Sequence, residues 1–137
     1  MVNKKTALIS CSKTKALRKC SAKEMYQGAL FCKAFQFCSK EYDNIYILSA
    51  KYGLLDIDTE IDPYDQTLNN MFFIQRKEWG LKVNQQLKER NIFYPDIYAD
   101  DRYCEFIKGY RPLLGLSLGQ QLKWFNDQKN KGKGFEI

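Results

Sequence analysis

Two short stretches carry the residue types that could hold an anion and act beside it. The first is Ser10-Cys11-Ser12-Lys13-Thr14-Lys15, which closes the apolar run Ala7-Leu8-Ile9. Small side chains there let backbone N–H groups point outward, and the lysines add charge, so the stretch suits a phosphate or a sugar. It is not a P-loop, because the glycines and the Gly-Lys-Ser/Thr ending are missing. The second is Leu48-Ser49-Ala50-Lys51-Tyr52-Gly53, where another apolar run meets a turn. Ser49 and Gly53 are small enough for close backbone approach, Lys51 suits a phosphate, and Tyr52 suits a base.

Charge is strongly segregated around these stretches. Residues 13–23 hold Lys13, Lys15, Arg18, Lys19 and Lys23 with no acid, and residues 56–65 hold Asp56, Asp58, Glu60, Asp62 and Asp65 with no base. An acidic run can bind Mg²⁺, stabilise positive charge or orient a water, although alone such a run is a solvated face. Both blocks leave the end of a short apolar strand. If the two strands are parallel, both loops open on one carboxyl edge, where open α/β folds place their ligands. A basic loop would then face an acidic one across a cleft.

Histidine is absent, which removes Ser-His and Cys-His nucleophile pairs, His-ligated zinc and any imidazole base. Chemistry is left to carboxylates, lysines, tyrosines, a cysteine or bound water. Cys11, beside lysines, is a conceivable thiolate. The five cysteines show no Cys-x-x-Cys pair and no metal-ligand spacing, so neither metal nor cofactor is expected. Their odd number, with no secretory pattern at the N-terminus, leads to the expectation of a reduced, cytoplasmic setting. Cys32, Cys38 and Cys104, in apolar surroundings, read as core filler.

The elements that must position these residues follow from periodicity. The chain has 137 residues, 45% hydrophobic and 28% charged, enough for one α/β domain over residues 1–128. Strands are expected at 6–11, 44–50 and 96–100, with a further strand or a connector at 112–116. Helical spacing covers 25–42 (Leu30, Phe31, Ala34, Phe37 and Cys38 inward), 74–90 (Ile74, Leu81, Val83 and Leu87 inward) and a short stretch at 103–110 with Phe106 and Ile107 inward. A last helix of roughly ten residues starts near Leu118, with Leu122 and Phe125 on its stripe. Residues 129–137, rich in Lys and Gly, read as a flexible basic tail. Strands alternating with helices indicate a three-layer sandwich around a mostly parallel sheet. No apolar run is long enough to span a bilayer, so no membrane partner is expected. The net charge of +6 favours an anionic partner, nucleic acid first.

Taken jointly, the motifs Ile9-Ser10-Cys11-Ser12-Lys13-Thr14-Lys15, Leu48-Ser49-Ala50-Lys51-Tyr52-Gly53-Leu54-Leu55, Ile61-Asp62-Pro63-Tyr64-Asp65 and Pro112-Leu113-Leu114-Gly115-Leu116-Ser117-Leu118-Gly119-Gln120-Gln121-Leu122-Lys123-Trp124 resemble an uncharacterised bacterial and phage domain family. That family looks related to the YaaA-type peroxide-stress proteins, which are linked to DNA binding and have a central fold similar to uracil-DNA glycosylases. A comparable domain, with a Cys-Ser-x-x-Lys loop, occurs in archaeal tRNA-modifying enzymes. Carried over by position, the resemblance implies ligand-facing roles for Cys11, Ser12, Lys13, Lys15, Ser49, Lys51, Tyr52, Gly53, Pro63, Tyr64 and Asp65. Asp62-Pro63-Tyr64 is similar to the water-activating motif of family-one uracil glycosylases, but it follows the second strand here, not the first.

The function expected is therefore a glycosylase-type enzyme that cleaves the N-glycosidic bond of a particular, ordinary or modified, base. DNA is placed ahead of RNA as partner. Loss of the base builds positive charge on the sugar, and Asp65, or secondarily Asp62, is the carboxylate expected to stabilise it or to position water. Lys13, Lys15 and Lys51 would hold phosphates. Tyr26, Tyr52 or Tyr64 would stack on a flipped-out base. The alternatives are a non-catalytic DNA-binding module, as in a stress response, and a small enzyme acting on nucleosides or nucleotides.

Overall fold

The structure, a computed structural model, describes residues 5–134, with side chains described through residue 130. Strand β1 (Thr6–Ser10) buries Ala7, Leu8 and Ile9 completely, so apolar side chains on both of its faces are covered. A two-residue strand β2 (Cys20–Ser21) leads into a single turn, α1 (Ala22–Met25), and then into α2 (Ala29–Glu41). Strand β3 (Asn44–Ser49) reverses through residues 50–52 into β4 (Gly53–Asp56). A second two-residue strand, β5 (Glu60–Ile61), and a 3₁₀ turn at Leu68–Asn70 precede α3 (Phe73–Glu89). Strand β6 (Asp96–Tyr98), the short α4 (Asp101–Cys104) and α5 (Leu118–Gly134) complete the order.

The main sheet runs β4-β3-β1-β6. β1 is parallel to both β3 and β6, in the registers Leu8 to Tyr46 and Leu8 to Ile97, while β4 is antiparallel to β3. The fold is thus mixed α/β with a mostly parallel four-stranded sheet. α2 packs on β1 and against α5, where Phe37, Trp124, Phe125 and Tyr98 meet edge to face. α3 packs against β4. No helix among the described residues is long and apolar enough to cross a membrane.

Several expectations need correction. Gly53, read as part of the turn after the second strand, also starts a further strand that was not expected, β4. Its φ of +75° closes a three-residue hairpin, a conformation that favours glycine. The outer edge of β4 is covered by the side chain of Gln86, whose Oε1 accepts from the Leu54 N–H (2.8 Å) while its Nε2 faces the Leu54 and Tyr52 carbonyls (both 3.4 Å). One side chain thereby stands in for a neighbouring strand and blunts the edge. The inner stripe of α3 is Arg76, Trp79, Gly80, Val83 and Leu87, whereas Ile74 and Leu81 lie exposed on another face. A hydrogen bond from Trp79 Nε1 to the Ser49 carbonyl (2.9 Å) fixes that rotation. Buried Arg76 is matched by Glu105 (2.9 Å) and the Met71 carbonyl (2.7 Å).

The expected helix at 103–110 shrinks to α4, and Phe106 is only half-buried while Ile107 is buried. Residues 112–116 are a connector rather than a strand. Leu118 is exposed, and α5 continues to Gly134, so residues 129–134, read as tail, are helical in backbone. Residues 135–137 of that tail lie outside the described residues. Cys38 is buried, Cys104 half-buried and Cys32 exposed, so Cys32 is not core filler.

One packing constraint yields a test. A Cβ at Gly80 would stand 2.5 Å from Phe106 Cβ and 3.1 Å from its Cγ, atoms too close to the backbone to swing away. In a helix interior Gly→Ala normally stabilises by about 1 kcal/mol. Here overpacking of about 1–3 kcal/mol opposes that gain. Gly80→Ala is expected to lower the denaturant midpoint, and an unchanged or raised midpoint would show that the helix shifts freely.

Candidate functional site

β1 connects through α2 to β3 on one side, and the chain later returns to β6 on the other side of β1. The carboxyl ends of β1 and β6 therefore diverge at a topological switch point, where open α/β sheets bind ligands. A cavity of about 550 Å³ lies there. Its walls are the Ser10–Thr14 loop, the first turn of α2, the Tyr98–Asp100 strand end, and Leu122 and Phe125 of α5. Lys13 and Asp100 are the charged residues in this lining.

Local bonds hold the loop. Ser12 Oγ donates to the Thr14 carbonyl (2.7 Å) and accepts from the Gly28 N–H (3.2 Å). A Cβ at position 28 would press on Ser12 Cβ at 2.9 Å, so glycine permits the approach of loop and helix. Farther along, Gln27 N–H donates to the Thr14 carbonyl and Ala16 N–H to the Met25 carbonyl, pinning the basic segment to the end of α1. No side chain among the described residues caps α2 at Gly28, which leaves first-turn N–H groups without a side-chain partner, as at anion-binding helix ends. Asp100 is exposed, and its carboxylate accepts from the Tyr103 N–H (3.3 Å) as the N-cap of α4.

Behind the loop sits a group of hydroxyls. Tyr26 Oη and Tyr64 Oη are 2.6 Å apart, and Tyr64 Oη is 2.7 Å from Ser49 Oγ. Ser49 Oγ also accepts from the Tyr52 N–H (3.0 Å) and the Lys51 N–H (3.3 Å). All three side chains are buried. On the other flank Cys11 Sγ is 3.4 Å from Tyr103 Oη, and Tyr103 stands edge to face with Trp79. Burial pushes Tyr26 up to about 12, and pushes Tyr64 and Tyr103 up as well. These phenols are fixed neutral donors, not proton carriers near neutral pH.

The structure divides the expected site. Cys11, Ser12 and Lys13 line the cavity. Ser49, Tyr64 and Tyr26 form the buried chain behind it, so Tyr26 and Tyr64 have no free ring face for a base, contrary to the expectation of stacking. Lys15 is half-buried, its ammonium 4.6 Å from the Tyr64 ring centroid. Lys51 is exposed beside the Tyr52 ring, and Tyr52 stands edge to face with Tyr64. Gly53 is buried in the β4 hairpin against Gln86. Asp62 and Asp65 are exposed, and neither lines the cavity.

Nor do the basic and acidic blocks face each other across a cleft. They are sewn together: β2 pairs with β5 (Cys20 with Ile61, Ser21 with Glu60), Ala22 N–H donates to the Thr59 carbonyl, and Lys23 pairs with Asp58 at 2.9 Å. The loop that faces the β1 loop is the one after β6. Asp100 and Tyr103 were missed for that reason, although the signal was present: Asp100 follows the third parallel strand as Ser10 follows the first.

A model of a family of unknown function (DUF6884) matches residues 6–127. The chain belongs to that family. No curated protein and no solved structure matches it significantly. The match takes in β1, both charged blocks, Asp100 and most of α5, so family membership covers the whole cavity lining.

The buried hydroxyls set an alkaline limit. Tyr26 titrates near 10.0 when unfolded and near 12 when folded, so above pH 10 the unfolded chain loses a proton that the folded chain keeps. That part of the stability is fully present below pH 10 and falls between pH 10 and 12, by about 1.4 kcal/mol per pH unit for each such tyrosine. Burial pushes the Cys38 and Cys104 thiols up as well, from 9.0 to about 12 and about 11, so thermal melts should show a Tm that begins to fall near pH 9 and falls more steeply above pH 10. Tyr64→Phe, which leaves Tyr26 and Ser49 without their shared partner, should cost about 1–3 kcal/mol at neutral pH. An unchanged midpoint would show that water replaces the hydroxyl freely.

Proposed function

We propose that this protein is a glycosylase-type enzyme that hydrolyses the N-glycosidic bond of a nucleotide unit in nucleic acid, and that its central fold is of the uracil-DNA glycosylase kind. The observation that carries the reading is the switch-point cavity, whose volume suits a single nucleoside. Its apolar walls (Leu30, Phe31, Leu122 and Phe125) suit a base removed from its stack. Ser12, Lys13 and the start of α2 suit the phosphate, and the exposed Arg18 and Lys19 extend positive charge along the same loop.

Asp100 replaces Asp65 as the working carboxylate. In such a reaction the bond between the sugar and the base nitrogen breaks, and the base leaves with the bonding electrons. Positive charge develops on the sugar, and a fixed carboxylate beside it lowers the barrier electrostatically. Water then adds to the sugar carbon, and its proton passes to solvent or to the departing base. No imidazole is needed for this sequence. Asp100 is suited because its capping bond to Tyr103 N–H fixes the carboxylate without neutralising it.

A second reading, a small enzyme for free nucleosides or nucleotides, draws on the lining itself, where Lys13 is the only cation among the described residues. A modified-base panel decides between them. Asp100→Asn should keep the fold, since asparagine caps a helix as well as aspartate does. Release of base from oligonucleotides should fall by about a hundredfold or more, the scale for losing a preorganised electrostatic group. Asp65→Asn should leave release unchanged. Release from free nucleotides alone would favour the second reading, and no release from any substrate, with binding intact, would leave a DNA-binding module.

A further inference from the structure

The opposite edge of the sheet carries a second cavity, of about 600 Å³, at the amino ends of β1, β3 and β6. We propose that it binds a segment of single-stranded nucleic acid, with bases stacked on Phe93 and Tyr94 and phosphates held by Lys5 and Arg90. This site is separate from the switch-point cavity and does not depend on the chemistry proposed there.

Four observations converge on it. First, the neighbouring rings of Phe93 and Tyr94 line the cavity and are 72% and 69% exposed, so both are free to meet a ligand. Second, the turn that presents them is held rigidly. Asn91 has a φ of +58°, the Asn91 and Ile92 N–H groups donate back to the Lys88 and Leu87 carbonyls, and Pro95 restricts Tyr94 to extended backbone. Ile92 packs inward while the two rings are left outside.

Third, two cations share the lining, each over a different aromatic ring. The Lys5 ammonium lies 5.0 Å from the Tyr42 ring centroid, and the Arg90 guanidinium 5.7 Å from that of Tyr46. Arg90 also donates to the Gln86 carbonyl (3.1 Å), which steadies it, and its other nitrogen lies 3.8 Å from Asp56. Fourth, among the described residues the lining carries two cations against one carboxylate, Asp96, which is oriented by accepting from Tyr42 Oη at 2.5 Å while Tyr42 Oη also meets Tyr98 Oη at 2.7 Å. Asp96 keeps its charge, and Asp56 draws on Arg90, so the charge offered to a phosphate rests mainly on Lys5, within a chain of net charge +6. Aromatic platforms beside cations are the physical recipe for sequence-tolerant single-strand binding, because every base has a stacking face. A duplex, whose bases are already stacked, would gain only the charge.

The test is fluorescence anisotropy with a labelled oligothymidylate, joined to amide-shift mapping of the whole chain. Phe93→Ala and Tyr94→Ala should each weaken binding about tenfold with unchanged thermal melts, as both side chains are exposed. Lys5→Gln should flatten the salt dependence by about 0.7 in log–log slope. Amide shifts should fall on residues 90–96 and 42–46. Shifts confined to the Ser10–Thr14 loop and Asp100, or affinity unmoved in both aromatic variants, would overturn the proposal. Thymidine monophosphate displacing the oligomer at equal concentration would also overturn it, by assigning the cavity to free nucleotides.

Discussion

Ser49 is the residue on which the candidate site turns. Its hydroxyl meets Tyr64 and accepts two backbone N–H groups, and its carbonyl accepts from Trp79. Through Tyr64 it reaches Tyr26 at the end of α1. One small polar residue at the end of β3 thus ties together the β3–β4 hairpin, the segment after β5, the end of α1 and helix α3. Each of these hydroxyls is buried, and an unsatisfied one costs about 1–3 kcal/mol. The chain must therefore be completed as a set or not at all, which makes the loops on this edge cooperative with the sheet. The Cys11–Thr14 loop is held beside this set by its own bonds, Cys11 N–H to the Leu48 carbonyl, Ser12 to Thr14 and Gly28, and Gln27 N–H to the Thr14 carbonyl.

The parts of this design that depend on burial alone were legible in the chain. Ala7-Leu8-Ile9 and Ile45-Tyr46-Ile47-Leu48 announce strands covered on both faces, and Leu30 to Cys38 announces the helix that covers one of them. What depends on a distant partner was not. Gly53 carries the same letter whether it ends a strand or turns a hairpin, and only Gln86, 33 residues on, reveals that an edge strand needed covering. The stripe of α3 was misread because Ile74 and Leu81 are the apolar choices by composition, whereas the true inner face includes Arg76 and Gly80. A buried arginine is recognisable only with its acceptors at Glu105 and Met71 in view. Tyr64 was read as a ligand-facing ring for a similar reason: its inward turn makes sense only beside Ser49 and Tyr26.

Charge patterning was read correctly as a block structure and wrongly as a cleft. Opposite blocks that follow neighbouring strands can face each other over a ligand or neutralise each other directly. The backbone pairing of β2 with β5 settles the matter in favour of contact. Neutralisation is local, however. It engages Lys23 with Asp58 and leaves Lys13, which lines the cavity, and Arg18 and Lys19 exposed.

The absence of histidine narrows the chemistry that such a cavity could support, and it does so in a consistent direction. A reaction limited by proton transfer near neutral pH needs a group that titrates there. The tyrosines around this cavity are driven the other way by burial. A reaction limited by cation formation on a sugar needs no such group. It needs a fixed negative charge, a site for the phosphate, and walls that keep water from screening the two. In the reading proposed above, these parts come from separate elements: the carboxylate from the α4 cap, the anion site from the β1 loop with the start of α2, and apolar walls from α2 and α5. Lys13 and Asp100 stand on different loops and form no ion pair among the described residues. That separation is the physical condition the proposed chemistry requires.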